Sequence, residues 1–152
     1  MEIKQFEKLL IKEKVCGCDA MLFIYLFEKN PRYYPWVSKL FYLGESGKIK
    51  IITSRITPIE ILSAPKLITQ PEKIYLYQEY FENASYLSVE DVSWDIVDMS
   101  AQLRREMKLR TPDAIQLATA QLSGANIFLT NDHHFNIIKS QQIYILDDMM
   151  DS

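Results

Sequence analysis

Apolar and polar residues alternate along this chain in two rhythms, one of helical spacing and one of short continuous runs. Ile3, Phe6, Leu9 and Leu10 recur at helical spacing and predict a short N-terminal helix over 3–10. Residues 14–18 read as a buried strand despite Gly17, and Asp19 then opens the apolar helix "AMLFIYLF". Pro31 and Pro35 interrupt the pattern. Pro35 suits a first helical turn, and a Gly-containing turn leads from that helix to a strand over 49–53. Residues 54–58 make the next strand-to-helix junction, followed by "IEILSA", which Pro65 stops. Pro71 starts a helix to about residue 81, and a short strand over 87–90 follows. Residues 94–107 predict an amphipathic helix with Ile96, Met99 and Leu103 along one side. Pro112 starts an alanine-rich helix carrying Ala114, Ile115, Leu117, Ala118, Ala120 and Leu122, and Gly124 can end it with a positive backbone φ. Buried strands over 125–130 and 143–146 complete the pattern.

This alternation predicts an α/β fold with a mostly parallel sheet covered by helices. Ligands of such sheets favour the crevice beyond the carboxyl ends of the strands. Asp19, Glu60, Asp113 and Asp132 all fall at predicted strand ends or helix starts.

Composition narrows the picture. At 152 residues and 48% apolar content, the chain fits one domain over 1–152 with a sizeable core. Charges interrupt every apolar run, so no membrane span is expected. Met1-Glu2-Ile3-Lys4 leads into mixed charge rather than a signal-peptide core. Cys16 and Cys18 are too few and too close for a disulfide framework, so a reducing, cytoplasmic setting is expected. A net charge of −3 excludes a generic basic nucleic-acid coat, although clustered acids can lower the pI while a local basic rim still meets phosphates.

Four acids at comparable junctions point to divalent metal chemistry. Hard cations such as Mg²⁺ or Mn²⁺ take oxygen ligands, polarise a phosphate and activate water. Crowded carboxylates raise one another's pKa unless a cation neutralises them. Asp19, Asp113 and Asp132 are the candidate metal ligands, with Glu60 a candidate for a second ion, a water or the nucleophile. Each also has a plain reading. Asp19 can simply cap a helix, Asp113 can be a favourable first-turn acid beside Pro112, and Asn131-Asp132 can be an ordinary turn. Ser54, Thr130 and Asn131 are candidate supporting polar groups, and Thr57 reads as a helix cap.

Arg104, Arg105, Lys108 and Arg110 form the strongest basic cluster, directly before Asp113, and Arg55 lies near Glu60's junction. These five can guide RNA phosphates, or the cluster can be a solvated helix face. Tyr33, Tyr34 and Trp36 can stack on bases, pack at an interface or belong to the core. The adjacent His133 and His134 lack the soft partners a zinc site needs. Gly44 and Gly47 form neither a P-loop nor a dinucleotide fingerprint.

The ordered pattern of Asp19, "TSRITPIEIL" with Glu60, "TPDAIQLATA" with Asp113 and "FLTND" with Asp132 resembles the PIN-domain family over nearly the whole chain. The resemblance implies a three-layer α/β/α sandwich in which the four acids line a Mg²⁺- or Mn²⁺-dependent endoribonuclease site. It is similar in particular to the small VapC-type toxin halves of toxin–antitoxin pairs. That likeness implies an RNA substrate, a masking antitoxin partner and a homodimer. Ala20 stands where many relatives have Ser or Thr after the first acid, and Asn136 where some offer a further acid. The metal logic alone also suits a small-molecule phosphohydrolase, and the fold alone suits a noncatalytic interaction domain.

Overall fold

The apolar runs of the chain fold into short parallel strands. The computed structural model describes residues 1–140 and 142–152. Helix α1 (Ile3–Glu13) precedes strand β1 (Val15–Cys18), and α2 (Ala20–Phe27), α3 (Tyr34–Glu45) and β2 (Lys50–Ser54) follow. Next come α4 (Ile56–Leu62), α5 (Pro71–Asn83), β3 (Leu87–Glu90), α6 (Trp94–Met107) and α7 (Thr111–Leu122). Strand β4 (Ile127–Thr130), strand β5 (Ile143–Ile145) and helix α8 (Leu146–Asp151) end the chain. The strands pair in the order β3-β2-β1-β4-β5, every pair parallel. Among the described residues no helix is long and apolar enough to cross a membrane.

Strand periodicity divides the core between two faces of the sheet. Cys16, Cys18, Ile51, Ile127 and Leu129 face one apolar cluster with Phe6 and Leu10 of α1, Phe23 of α2, Leu40 of α3 and Phe81 of α5. Phe128, one residue out of phase in β4, joins Ala114, Leu117 and Ala120 of α7 in a second cluster. Burying a leucine or phenylalanine of this kind contributes about 1.5–3 kcal/mol. Helix α6 packs on the outside of α7. The result is the expected three-layer α/β/α arrangement with a parallel sheet.

Helix α7 approaches the sheet closely because both sides are small. A Cβ built on Gly17 of β1 would lie 2.5 Å from the Cβ of Ala120. The glycine that weakens β1 as a sequence signal is therefore what lets α7 seat against it. Gly124 ends this region with φ +83°, as its position after α7 predicts.

Several local details differ from the sequence expectation; β2 and β4 run over Lys50–Ser54 and Ile127–Thr130 rather than 49–53 and 125–130. Helix α1 runs three residues further, to Glu13. Helix α4 begins at Ile56, so Thr57 lies inside it and, instead of capping it, forms a buried hydrogen bond to Thr53. Leu146 begins helix α8 instead of ending β5, a helix too short and too acidic to show a helical period in sequence.

Candidate active site at the switch point of the sheet

From β1 the chain builds outward through β2 to β3, then crosses to β4 and β5 on the other side. The crevice between β1 and β4, at their carboxyl ends, is therefore the topological switch point. Asp19 directly follows β1 and Asp132 lies two residues beyond β4. Helix α7 crosses β1, β2 and β4 and brings Asp113 on its first turn to the same crevice. Helix α4 brings Glu60 to its rim. Asp19, Glu60, Asp113 and Asp132 together line one cleft of about 230 Å³, with Ala20, Met21, Arg110, Pro112 and Gln116.

Asp19 is the most enclosed of the four, 7% exposed. Its Oδ1 accepts the Met21 N–H at 3.1 Å, so it caps α2 as well as facing the cleft. Its Oδ2 accepts a hydrogen bond from the Thr130 hydroxyl. Burial pushes its carboxyl up to about 7, and the charges of Asp113 and Asp132 add to that rise against its hydrogen bonds. Thr130 also accepts the Asp132 N–H at 3.0 Å, so one buried hydroxyl joins the two acids across the switch point.

Asp132 is held from both sides. Its Oδ1 accepts the His134 backbone N–H at 2.9 Å and the His134 Nδ1–H at 2.7 Å. Its Oδ2 accepts from an Arg110 terminal nitrogen at 2.7 Å. Burial alone would raise its pKa, but these bonds and charges outweigh burial and hold it below the ordinary range. Arg110 Nε also donates to Asp113 Oδ2 at 3.0 Å, so the guanidinium bridges the two acids. Burial raises Asp113 all the same, with Asp132 adding and Arg110 opposing. Glu60 is raised by partial burial and then by Asp113.

The supporting residues divide. Asn131 is locked into the loop after β4: its amide donates to Tyr25 Oη at 3.0 Å and its carbonyl accepts the Asp147 N–H at 2.8 Å. Asn131 thus orients the turn that carries Asp132. Ser54 is fully buried and its hydroxyl accepts the Ile56 N–H at 3.2 Å, a use at the start of α4 outside the cleft lining. Of the basic residues only Arg110 lines the cleft. Arg55 pairs with Asp91 at 2.8 Å and Arg104 Nε binds the Leu109 carbonyl at 3.2 Å. Arg105 and Lys108 are exposed at the end of α6. Trp36 packs on Phe6 in the core, and Tyr33 stacks on Tyr25 with ring centroids 4.2 Å apart. His133 turns away from His134 to Asp147, at 2.9 Å.

Gln116 is a residue the sequence pattern did not single out. It is buried one helical turn after Asp113 and faces the same cleft. Its Oε1 accepts the Ser54 N–H at 3.2 Å and its Nε2 donates to Thr57 Oγ1 at 2.8 Å. Thr53 Oγ1 continues the network to the Cys18 carbonyl at 2.7 Å. Gln116 thereby ties the helix of Asp113 to the strand and helix that place Glu60. A lone amide inside the apolar run "AIQLATA" was the available signal.

The sequence profile of the PIN domain matches residues 18–140. The chain belongs to the PIN-domain family. Its fold is similar to a chain of a toxin–antitoxin complex from Klebsiella pneumoniae, at 24% identity and TM-score 0.57, covering 86% of this PIN domain's chain and 95% of the other. It is also similar to a chain of VapBC2 from Rickettsia felis bound to a promoter DNA fragment. There the identity is 19% and the TM-score 0.65, with coverage of 86% and 98%. Among curated proteins none matches significantly. In this PIN domain no group of three or more His, Cys, Asp or Glu side chains among the described residues is arranged to hold a metal ion. The four acids of the cleft nevertheless offer carboxylate oxygens, the chemistry a hard divalent cation requires. An arginine cation already spans two of them.

Proposed function

We propose that this PIN domain is a divalent-metal-dependent endoribonuclease that hydrolyses RNA phosphodiester bonds, acting as the toxin of a toxin–antitoxin pair. The observation that carries the reading is the convergence of Asp19, Glu60, Asp113 and Asp132 on one cleft at the switch point. Structural likeness to chains of two toxin–antitoxin complexes supports the toxin role and an antitoxin partner. A homodimer in the cytoplasm belongs to the same reading.

Asp19, Asp113 and Asp132 would hold Mg²⁺ or Mn²⁺, with Glu60 at the rim to hold a water or a second ion. The bound cation supplies Lewis-acid polarisation of the phosphate and lowers the pKa of water. The chain's own residues do the positioning. Thr130 and the α2 N-terminus fix Asp19, while His134 and Asn131 fix the turn of Asp132. Gln116 fixes the helix of Asp113 relative to Glu60. Glu60, raised by partial burial and by the nearby charge of Asp113, stands at the rim where it can position an attacking water.

A polymer suits the surroundings better than a small phosphoester. The cleft shares Met21, Arg110 and Asp132 with an open groove that runs on past Asn131, His133, His134 and Ile137. A small-molecule phosphohydrolase would close over its substrate. Purified protein is assayed on a broad RNA panel and on small phosphoesters with Mg²⁺ or Mn²⁺. Asp19→Asn and Asp113→Asn should nearly abolish RNA cleavage, whereas Asp95→Asn and Asp98→Asn on exposed α6 should not. Equal activity in all four variants refutes the assignment, and absence of metal binding with tight protein binding favours an interaction domain.

A further inference from the structure

The Arg110 guanidinium lies between Asp113 and Asp132 in the acid-lined cleft. Its Nε reaches Asp113 Oδ2 at 3.0 Å and a terminal nitrogen reaches Asp132 Oδ2 at 2.7 Å. The other oxygen of Asp132 is already taken twice by His134. The oxygen of Asp132 that keeps a lone pair free, Oδ2, is thus the one that Arg110 holds. The arginine itself is not built in. Its side chain is 63% exposed, and it sits at the residue before α7, outside the packed helix.

We propose that Arg110 is an exchangeable counter-ion of the acid cluster. It holds Asp113 and Asp132 together in the metal-free state, yields them to a divalent cation, and in yielding turns its guanidinium to an RNA phosphate in the open groove. This rests on the metal-dependent ribonuclease reading above. Like charges at this spacing repel, and one fork-shaped cation satisfies both carboxylates at once. A divalent ion on the same carboxylates repels the guanidinium and draws on the same oxygen charge, so the arginine competes with the metal. The groove beyond the cleft is lined by Arg110 itself with Asn131, His133 and His134, so a released guanidinium needs only a side-chain rotation to face a backbone phosphate there. The planar fork that spans two carboxylates matches a phosphate equally well.

The test measures Mn²⁺ alone by titration calorimetry on the purified full chain, with Arg110→Met, Arg110→Lys and Arg105→Met. Two exposed ion pairs are lost in Arg110→Met, so its Mn²⁺ affinity should rise roughly three- to tenfold. Arg110→Lys keeps the charge but loses the planar fork that reaches both carboxylates and should fall between, while Arg105→Met should match the parent. Melting in EDTA should drop for Arg110→Met and be recovered by Mn²⁺. At saturating Mn²⁺ the same variant should cleave RNA more slowly despite its tighter metal. Unchanged or weaker Mn²⁺ binding by Arg110→Met overturns the proposal, and so does tighter binding with undiminished cleavage. If the parent cleaves no RNA with Mn²⁺, or Asp19→Asn cleaves as well as the parent, the metal-dependent ribonuclease reading itself has failed. Parent chain that cleaves with metal while Arg110→Met binds Mn²⁺ unaltered refutes the counter-ion alone.

Discussion

Asp19→Asn offers the sharpest physical test, because it separates the folding cost of the site from its chemistry. Burial lifts the Asp19 carboxyl from an ordinary 3.8 to about 7 in the folded chain. The folded state therefore binds more protons than the unfolded state between those two values, and stability falls as pH rises through that window. The cost is complete above pH 7 and absent below pH 4. A shift of about 3 units corresponds to a ceiling of about 4 kcal/mol, and local relaxation brings the expected value nearer 2–3 kcal/mol. Asparagine keeps the oxygen that caps α2 through the Met21 N–H and loses the charge. In EDTA at pH 8 the variant should be more stable than the parent, with a Tm about 5–10 °C higher for a chain of this size. Near pH 4 the two should converge, with the variant slightly the weaker for its altered bond to Thr130. The assay is urea unfolding across this pH range in EDTA, repeated with saturating Mn²⁺, which should stabilise the parent and scarcely affect the variant. Parallel pH profiles for parent and variant would refute the reasoning, since they would mean that Asp19 is solvated or permanently paired.

Three other outcomes follow from the packing around the cleft. Gln116→Leu leaves the Ser54 N–H and the Thr57 hydroxyl without their partner and should cost about 1–3 kcal/mol in urea unfolding while lowering cleavage. Gly17→Ala should cost about 1–3 kcal/mol, because its Cβ would meet Ala120, and Ala120→Gly in the same chain should recover most of the loss in a double-mutant cycle. Thr130→Val keeps the shape but removes the hydroxyl that lowers the Asp19 pKa, so NMR titration of Asp19 should show its midpoint move higher still; an unmoved midpoint would contradict the hydrogen bond.

Much of this architecture was legible along the chain. The segments 14–18, 49–53, 87–90, 125–130 and 143–146 all overlap strands; the central strands read as apolar at successive positions because both their faces are buried, while the edge strand β3 (LSVE) alternates instead. Prolines at 35, 71 and 112 mark the first turns of α3, α5 and α7, where a missing N–H costs nothing. Three of the four acids stand at positions with a local mark: Asp19 and Asp132 just after strands and Asp113 in the first turn of α7, whereas Glu60 lies inside α4. Less was legible in the basic residues. Arg104, Arg105, Lys108 and Arg110 look equivalent in sequence, yet only Arg110 turns into the cleft, because it precedes α7 rather than ending α6.

The sequence by itself determined local identity: which segments are buried, where helices start, and which carboxylates stand at strand ends. It did so because burial and capping act over a few residues and leave periodic or positional marks. Only the tertiary structure decided which of those groups meet. The crossover from β3 to β4 sets Asp19 beside Asp132, the Gly17–Ala120 approach seats Asp113 over them, and Gln116 binds that helix to β2. Thr130, buried between Asp19 and Asp132, and Arg110, bridging Asp132 to Asp113, take their roles from contacts across 111 and 22 residues of chain. Hydrogen bonds and ion pairs are short-ranged in space but indifferent to distance along the chain, so no local pattern records them.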